Sequence, residues 1–194
     1  MMTSERKRCG YCGGGMLLVR ADAKFCSQRC GTYYRRKRNK LPARMARSRR
    51  FVRYSARKVP LTVAGRAASS TNPATWTTLE AARRSHCGNG VGYVLGDGIG
   101  CIDLDDCFTE DGLAPWAQAI VDQNPQTLIE VSMSGRGLHI FGVLAEQPGV
   151  VIRDHRKVEI YSTGRYIALT GMRYGNSPAA LRPLNISGIV RTTP

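Results

Sequence analysis

Acidic residues are nearly missing from the first third of this chain. Residues 1–58 hold 18 lysines and arginines against two acids, Glu5 and Asp22, while residues 59–194 hold 11 basic side chains against 12 acidic ones. The formal net charge of +15 is therefore concentrated at one end of the 194 residues. A cationic segment joined to a near-neutral region suits a polyanion, because neutralising phosphates releases counterions and gives affinity without sequence preference. A merely solvated basic tail would carry the same charge pattern. Long apolar runs are missing as well. Nothing approaches the roughly 20 consecutive apolar residues of a membrane-spanning helix. The longest early run, residues 16–19, stops at Arg20, short of a signal-peptide core. An intracellular, cytoplasmic protein with no membrane partner is expected, long enough for one domain with a proper core and a small satellite module.

In a reducing compartment the seven cysteines are better explained by metal or by packing than by disulfides. Four of them form two close pairs, Cys9-x2-Cys12 and Cys26-x3-Cys30, separated by thirteen residues. Two such pairs offer zinc a tetrahedron of thiolates at little chain-entropy cost. The glycines after Cys12 allow a tight knuckle, and the i, i+4 spacing of the second pair suits the first turn of a helix. A four-cysteine zinc module is expected over residues 1–34, followed by a basic arm or linker over 35–57. In that arm Arg35, Arg36, Lys37, Arg38, Arg47, Arg49 and Arg50 are candidate nucleic-acid contacts, interleaved with Tyr33, Tyr34, Phe51 and Tyr54. Arginine pairs with phosphate and aromatic rings stack on unpaired bases, a mixture suited to single strands. Apolar residues look too sparse there for a buried face, so the arm is expected to order on its partner. A solvated connector fits the same residues.

From residue 58 to 194 the pattern changes to a second, larger domain. Thr77-x-x-Glu80 reads as a capping box opening a helix near residue 78, and Pro115 as the first position of another. Alternating apolar residues predict a strand within 88–96, a turn at Asp97-Gly98, and further strands at 99–105, 127–132, 138–144, 158–161 and 166–170. Strands outnumber helices, so the class is α+β on a largely antiparallel sheet with flanking helices.

Three islands in this domain carry polar residues in an apolar frame. On the strand at 99–105, alternation puts Cys101, Asp103, Asp105 and Cys107 on one face and Ile102 and Leu104 on the other. Two carboxylates at i, i+2 are costly side by side unless a cation joins them; as ordinary strand-end residues they would need none. Cys101 and Cys107 read as packing residues, and Asp106 as a cap or solvated acid. Ser132-Met133-Ser134-Gly135-Arg136-Gly137-Leu138-His139 offers hydroxyls, positive groups and two glycines, Gly135 and Gly137, that let backbone approach a ligand closely. Of only three histidines, His139 alone stands in such a frame; His86 and His155 read as structural. Glu159 projects from Val158 and Ile160 as a third acid able to complete a two-metal site, or simply to pair with a neighbouring cation. Arg165 can aim at phosphates.

Taken together these motifs resemble the catalytic core of the bifunctional DNA primase-polymerase family, a branch of the archaeo-eukaryotic primase superfamily found in phages and plasmids. The resemblance spans about residues 58–171. Gly90-Val91-Gly92-Tyr93-Val94-Leu95 followed by Gly100-Cys101-Ile102-Asp103-Leu104-Asp105-Asp106-Cys107 is similar to the family's first motif and Ser134-Gly135-Arg136-Gly137-Leu138-His139 to its second. Val158-Glu159-Ile160-Tyr161 with the segment from Gly164 to Gly171 is similar to its third. Lys58-Val59-Pro60 and Asn72-Pro73-Ala74-Thr75-Trp76 also look like family signatures, which puts Lys58 near the nucleotide. The resemblance implies an RRM-like core. It also implies a two-metal nucleotidyl transfer, with Mg²⁺ or Mn²⁺ held by Asp103, Asp105 and Glu159. His139, Ser134 and the backbone at Gly135 and Gly137 would orient the triphosphate, and Arg165 would add charge. The expected partners are a single-stranded DNA template, nucleoside triphosphates and a separate helicase, in a bacterial cytoplasm if a phage or plasmid encodes the chain. Two other readings stay open: a non-catalytic zinc-containing replication or origin-binding protein, and a metal-dependent nuclease.

Overall fold

The structure is a computed structural model that describes Cys9, Arg20, residues 22–32 and residues 40–189. Its frame is two antiparallel sheets. The larger sheet has five strands in the order β7 (Leu128–Val131), β8 (Leu138–Val143), β4 (Ile99–Leu104), β10 (Lys157–Tyr161) and β9 (Val150–Arg153). The smaller has four, in the order β11 (Tyr166–Leu169), β3 (Gly90–Val94), β1 (Phe51–Tyr54) and β2 (Pro60–Leu61). A short hairpin, β5 (Phe108–Thr109) and β6 (Gly112–Leu113), follows β4. Helices α1 (Ala43–Arg47), α2 (Leu79–Arg84) and α3 (Pro115–Gln123) flank the sheets, so the molecule is α+β and mostly antiparallel. Among the described residues no helix is long and apolar enough to cross a membrane.

Period-two alternation gives the larger sheet two different faces. Ile102, Leu104, Leu138, Ile140, Val158 and Ile160 pack in one core cluster with Ala117 and Ile120 of α3. That helix starts at a proline whose fixed φ suits its first turn and ends where the Asn124 side chain donates to the Ile120 carbonyl at 2.9 Å. On the opposite face Ile99, Cys101, Leu128 and Phe141 pack with Phe51, Tyr93, Leu95 and Ile167 of the smaller sheet, joined by Met45 and Ala82. Phe51 and Tyr93 meet edge to face at 5.2 Å, a favoured aromatic geometry. The thiols of Cys101 and Cys107 are both buried and pushed up by burial, that of Cys107 to about 12. They fill space, as the sequence suggested.

The structure corrects the boundary expected at residue 58. All four residues of β1 are buried and the strand lies inside its sheet, between β3 and β2, while Met45 of α1 is fully buried. The stretch 41–54 therefore belongs to the folded domain and is not an arm. Its basic residues disguise this, because carbonyls absorb them. Arg53 is buried and its guanidinium donates to the carbonyls of Ala82, Cys87 and Gly88. Arg50, expected to contact nucleic acid, instead donates to Val94 and Leu95 at 2.9 and 2.7 Å, pairs with Asp97 at 3.1 Å, and lies over the Trp76 ring. The α2 cap also moves by one residue. The Thr78 hydroxyl accepts from the Ala81 N–H, while Thr77 is bridged to Phe51.

Candidate functional site

Asp103, His139 and Glu159 sit side by side because of strand register. In β4, Asp103 is the direct partner of His139 in β8 on one side and of Glu159 in β10 on the other. All three share the face that carries Ile99 and Cys101, four and two residues back along β4. Between this face and residues Pro60 and Tyr166–Ala168 of the smaller sheet lies a cavity of about 480 Å³. Its walls include Lys58, Ser70, Asp103, Asp105, Ser132, Ser134, His139, Glu159, Arg165 and Tyr166. Thus seven sequence candidates from separate chain segments meet around one space.

Burial sets the electrostatics. Asp103 is raised to about 7, first because it is desolvated and then because Asp105 and Glu159 repel its charge, with Arg165 and Lys58 opposing. His139 is lowered to about 4 by burial and by Lys58, so it is neutral at physiological pH. Its Nε2 lies 3.5 Å from Asp103 Oδ1, adjacent but not hydrogen-bonded. Both Asp103 Oδ1 and His139 Nδ1 are buried with no hydrogen-bond partner among the described residues. Orphaned buried acceptors are rare and demand an explanation; here a cation beside Asp103 and Asp105 fits the donor set. Glu159 differs. Its carboxyl is held below the usual range despite burial, by hydrogen bonds from Tyr161 and Arg153 and the charges of Arg165 and Arg153.

The serine-glycine turn is built differently from the expectation. Ser134 lines the cavity, but Gly135 and Gly137 do not. Gly135 has φ +74, and a side chain at Gly137 would collide with the Leu104 carbonyl at 2.4 Å, so the two glycines serve the turn and its approach to β4. The Ser132 and Ser134 hydroxyls accept from the backbone N–H groups of Gly137 and Arg136 and lie 3.0 Å from each other. Arg136 is drawn away to Asp106 at 3.0 Å, a carboxylate that also binds Lys157 at 2.7 Å. Asp106 thereby ties the turn to the start of β10.

Several neighbours escaped the sequence reading. Glu130 of β7 is the direct partner of His139, which extends the polar row, and it is almost wholly buried. It accepts from the Thr170 N–H at 3.0 Å and gains further from the Gly171 amide. Arg153 and Tyr161 reach Glu159. The signal for Arg153 lies in the β9–β10 hairpin, which pairs Lys157 with Arg153 and Glu159 with Val151; without that hairpin the run Val150-Val151-Ile152 reads only as apolar.

At the other end of the chain, Cys9, Cys26 and Cys30 bring their sulfurs within 4.8 Å of one another. Cys26 and Cys30 are 3.5 Å apart at the start of a helical turn whose Ser27 hydroxyl accepts from the Cys30 N–H. Sulfurs of a zinc tetrahedron are about 3.8 Å apart, given a Zn–S bond near 2.3 Å, so this cluster could hold a metal such as zinc. Cys12, the fourth expected ligand, lies outside the described residues, as do Arg35, Arg36, Lys37 and Arg38. Arg47 and Arg49 are exposed. Comparison of the chain with protein-family models and with curated proteins finds no match in either.

Proposed function

We propose that this chain is a divalent-cation-dependent nucleotidyltransferase of the primase-polymerase kind, which joins nucleotides on a single-stranded DNA template. The observation that carries the reading is the cross-strand row Glu159, Asp103, His139 facing a single cavity with Asp105, Lys58, Ser134 and Arg165. A nucleoside triphosphate with its cation needs negative charge for the ion and positive charge for the phosphates within one site. This cavity offers both.

Asp103 and Asp105 would hold Mg²⁺ or Mn²⁺. When bound, such an ion supplies charge neutralisation for the triphosphate and acidifies the attacking hydroxyl. Neutral His139 can hydrogen-bond a phosphate oxygen without adding charge, and Ser134 offers a hydroxyl on the same wall. Lys58 and Arg165 balance the phosphates and stabilise charge gathering on the leaving group. The exposed Arg47 and Arg49, with the basic residues 35–38, are assigned to the template strand, and the cysteine cluster to a zinc clip that orders that end of the chain.

The test is incorporation of labelled ribo- and deoxynucleotides on primed and unprimed single-stranded DNA by the intact protein and by Asp103→Ala and Asp105→Ala. Synthesis should fall by about 10²-fold or more in both variants. DNA binding without synthesis in the intact protein would point to an origin-binding role, and template breakdown to a nuclease.

A further inference from the structure

Glu159 stands where a third cation ligand is expected, yet both of its oxygens are engaged. Oε1 accepts from Arg153 Nη2; Oε2 accepts from the Tyr161 hydroxyl at 2.9 Å and from Arg165 Nη2 at 3.1 Å. The Arg165 guanidinium lies 4.6 Å from the centre of the Tyr161 ring, so a carboxylate and an aromatic face together fix its plane. Only 12% of the Glu159 side chain is exposed, against 52% for Arg165. Arg165 lines the cavity and Arg153 does not.

Asp103 presents the contrast, with a buried oxygen, Oδ1, that has no hydrogen-bond partner among the described residues. Among the described residues the only three or more potential metal ligands with atoms within 4.8 Å of one another are Cys9, Cys26 and Cys30. No third acid therefore closes on Asp103 and Asp105. Drawing Glu159 onto a cation would break its pairing with two half-exposed guanidiniums and its hydrogen bond from the Tyr161 hydroxyl. One acid with two arginines gives this cluster a net positive charge, and Arg165 is its member on the cavity wall. A half-exposed guanidinium already fixed in orientation is suited to bidentate capture of phosphate.

We propose that Glu159 anchors an anion-binding arginine and is not a ligand of the divalent cation. The cation belongs to Asp103 and Asp105. Glu159, with Arg153 and Tyr161, is a positioning residue that holds Arg165 against the cavity wall to receive the phosphates of a nucleoside triphosphate. This rests on reading the cavity as a nucleotide site.

Two binding measurements on the nucleotide-free protein test it: Mn²⁺ titration followed by electron paramagnetic resonance, and titration of a fluorescent dATP in EDTA. Glu159→Gln should keep its Mn²⁺ Kd within about twofold and weaken metal-free dATP binding about fivefold, whereas Asp105→Asn should weaken Mn²⁺ at least about tenfold. A tenfold loss of Mn²⁺ affinity in Glu159→Gln, or tighter dATP binding through loss of a negative charge, would overturn the assignment. Arg153→Ala, outside the cavity, provides a second measurement if Glu159→Gln does not fold: weaker dATP binding at unchanged Mn²⁺ affinity supports the proposal, and unchanged dATP binding sinks it. If the intact protein makes no DNA while these results hold, the polymerase reading fails and the role of Glu159 stands. If the intact protein makes DNA but Glu159→Gln loses Mn²⁺, the polymerase reading stands and the role of Glu159 fails.

Discussion

The two ends of one sheet face behave oppositely. At one end Ile99, Cys101, Leu128 and Phe141 are sealed against the smaller sheet. One pleat further along the same strands, the same face carries Asp103, Glu130, His139 and Glu159. The strands and their pairing are continuous, so backbone structure does not distinguish the ends; what distinguishes them is how each buried polar group is satisfied. Glu130 is answered by backbone amides and Glu159 by arginines and a tyrosine. The Oδ1 of Asp103 has no hydrogen-bond partner among the described residues. Burial of unpaired charge is tolerated where a ligand completes it, and that singles out Asp103 within the candidate site.

The largest effect should come from hollowing out the apolar end. Phe141→Ala should cost about 3–5 kcal/mol in denaturant unfolding, through lost burial and an unfilled cavity between the sheets. A cost near zero would mean that the sheets do not pack through this residue. Glu130→Ala tests whether the outermost acid of the row is structural. It strands backbone donors at residues 170 and 171, and stability should fall by about 2–3 kcal/mol with Mn²⁺ affinity unchanged. Loss of Mn²⁺ binding instead would make it part of the cation site.

The smallest effect is a pH dependence, and its sign separates Asp103 from His139. With its value raised from 3.8 to about 7, Asp103 binds its proton more tightly when folded, so stability falls as pH rises through that window. His139, lowered from 6.5 to about 4, acts in the opposite direction below pH 6.5. Above that pH the His139 contribution is gone, and the loss comes from Asp103 and from Glu130, which burial also raises. Thermal melts should therefore show the metal-free protein weakening toward about pH 8, and Mn²⁺ should raise the melting temperature more there than at about pH 5.5, where it must displace a proton. Asp103→Asn should remove the Mn²⁺ effect and the Asp103 part of the weakening, and stabilise the metal-free protein at about pH 8 by about 1–2 kcal/mol. An equal Mn²⁺ shift at both pH values would contradict the assignment.

Much of the site was legible from alternation, because a period of two assigns side chains to faces without any knowledge of partners. Asp103 with Cys101 on one face, and Leu104 with Ile102 on the other, follow from the run 99–105 alone. The helix at Pro115 and the strands containing His139 and Glu159 were legible for the same local reason. Position 50 was not. An arginine in a basic run looks like a phosphate contact until the carbonyls of Val94 and Leu95 and the Asp97 carboxylate, more than 40 residues away, close on it. The part played by Arg136 was hidden likewise, since its partner Asp106 is distant in sequence.

The amino-acid order alone dictates which residues are apolar, which strands alternate, where the acids fall on those strands, and that two cysteine pairs have the spacing of a metal clip. Folding in three dimensions supplies the rest: that Phe51–Tyr54 enters a sheet, that Glu130 extends the polar row, and that Glu159 turns toward arginines while Asp103 Oδ1 gains no hydrogen bond among the described residues. Local patterning sets a side chain's direction from its own strand, whereas its electrostatic role depends on charges and dipoles that only chain folding brings within a few ångströms.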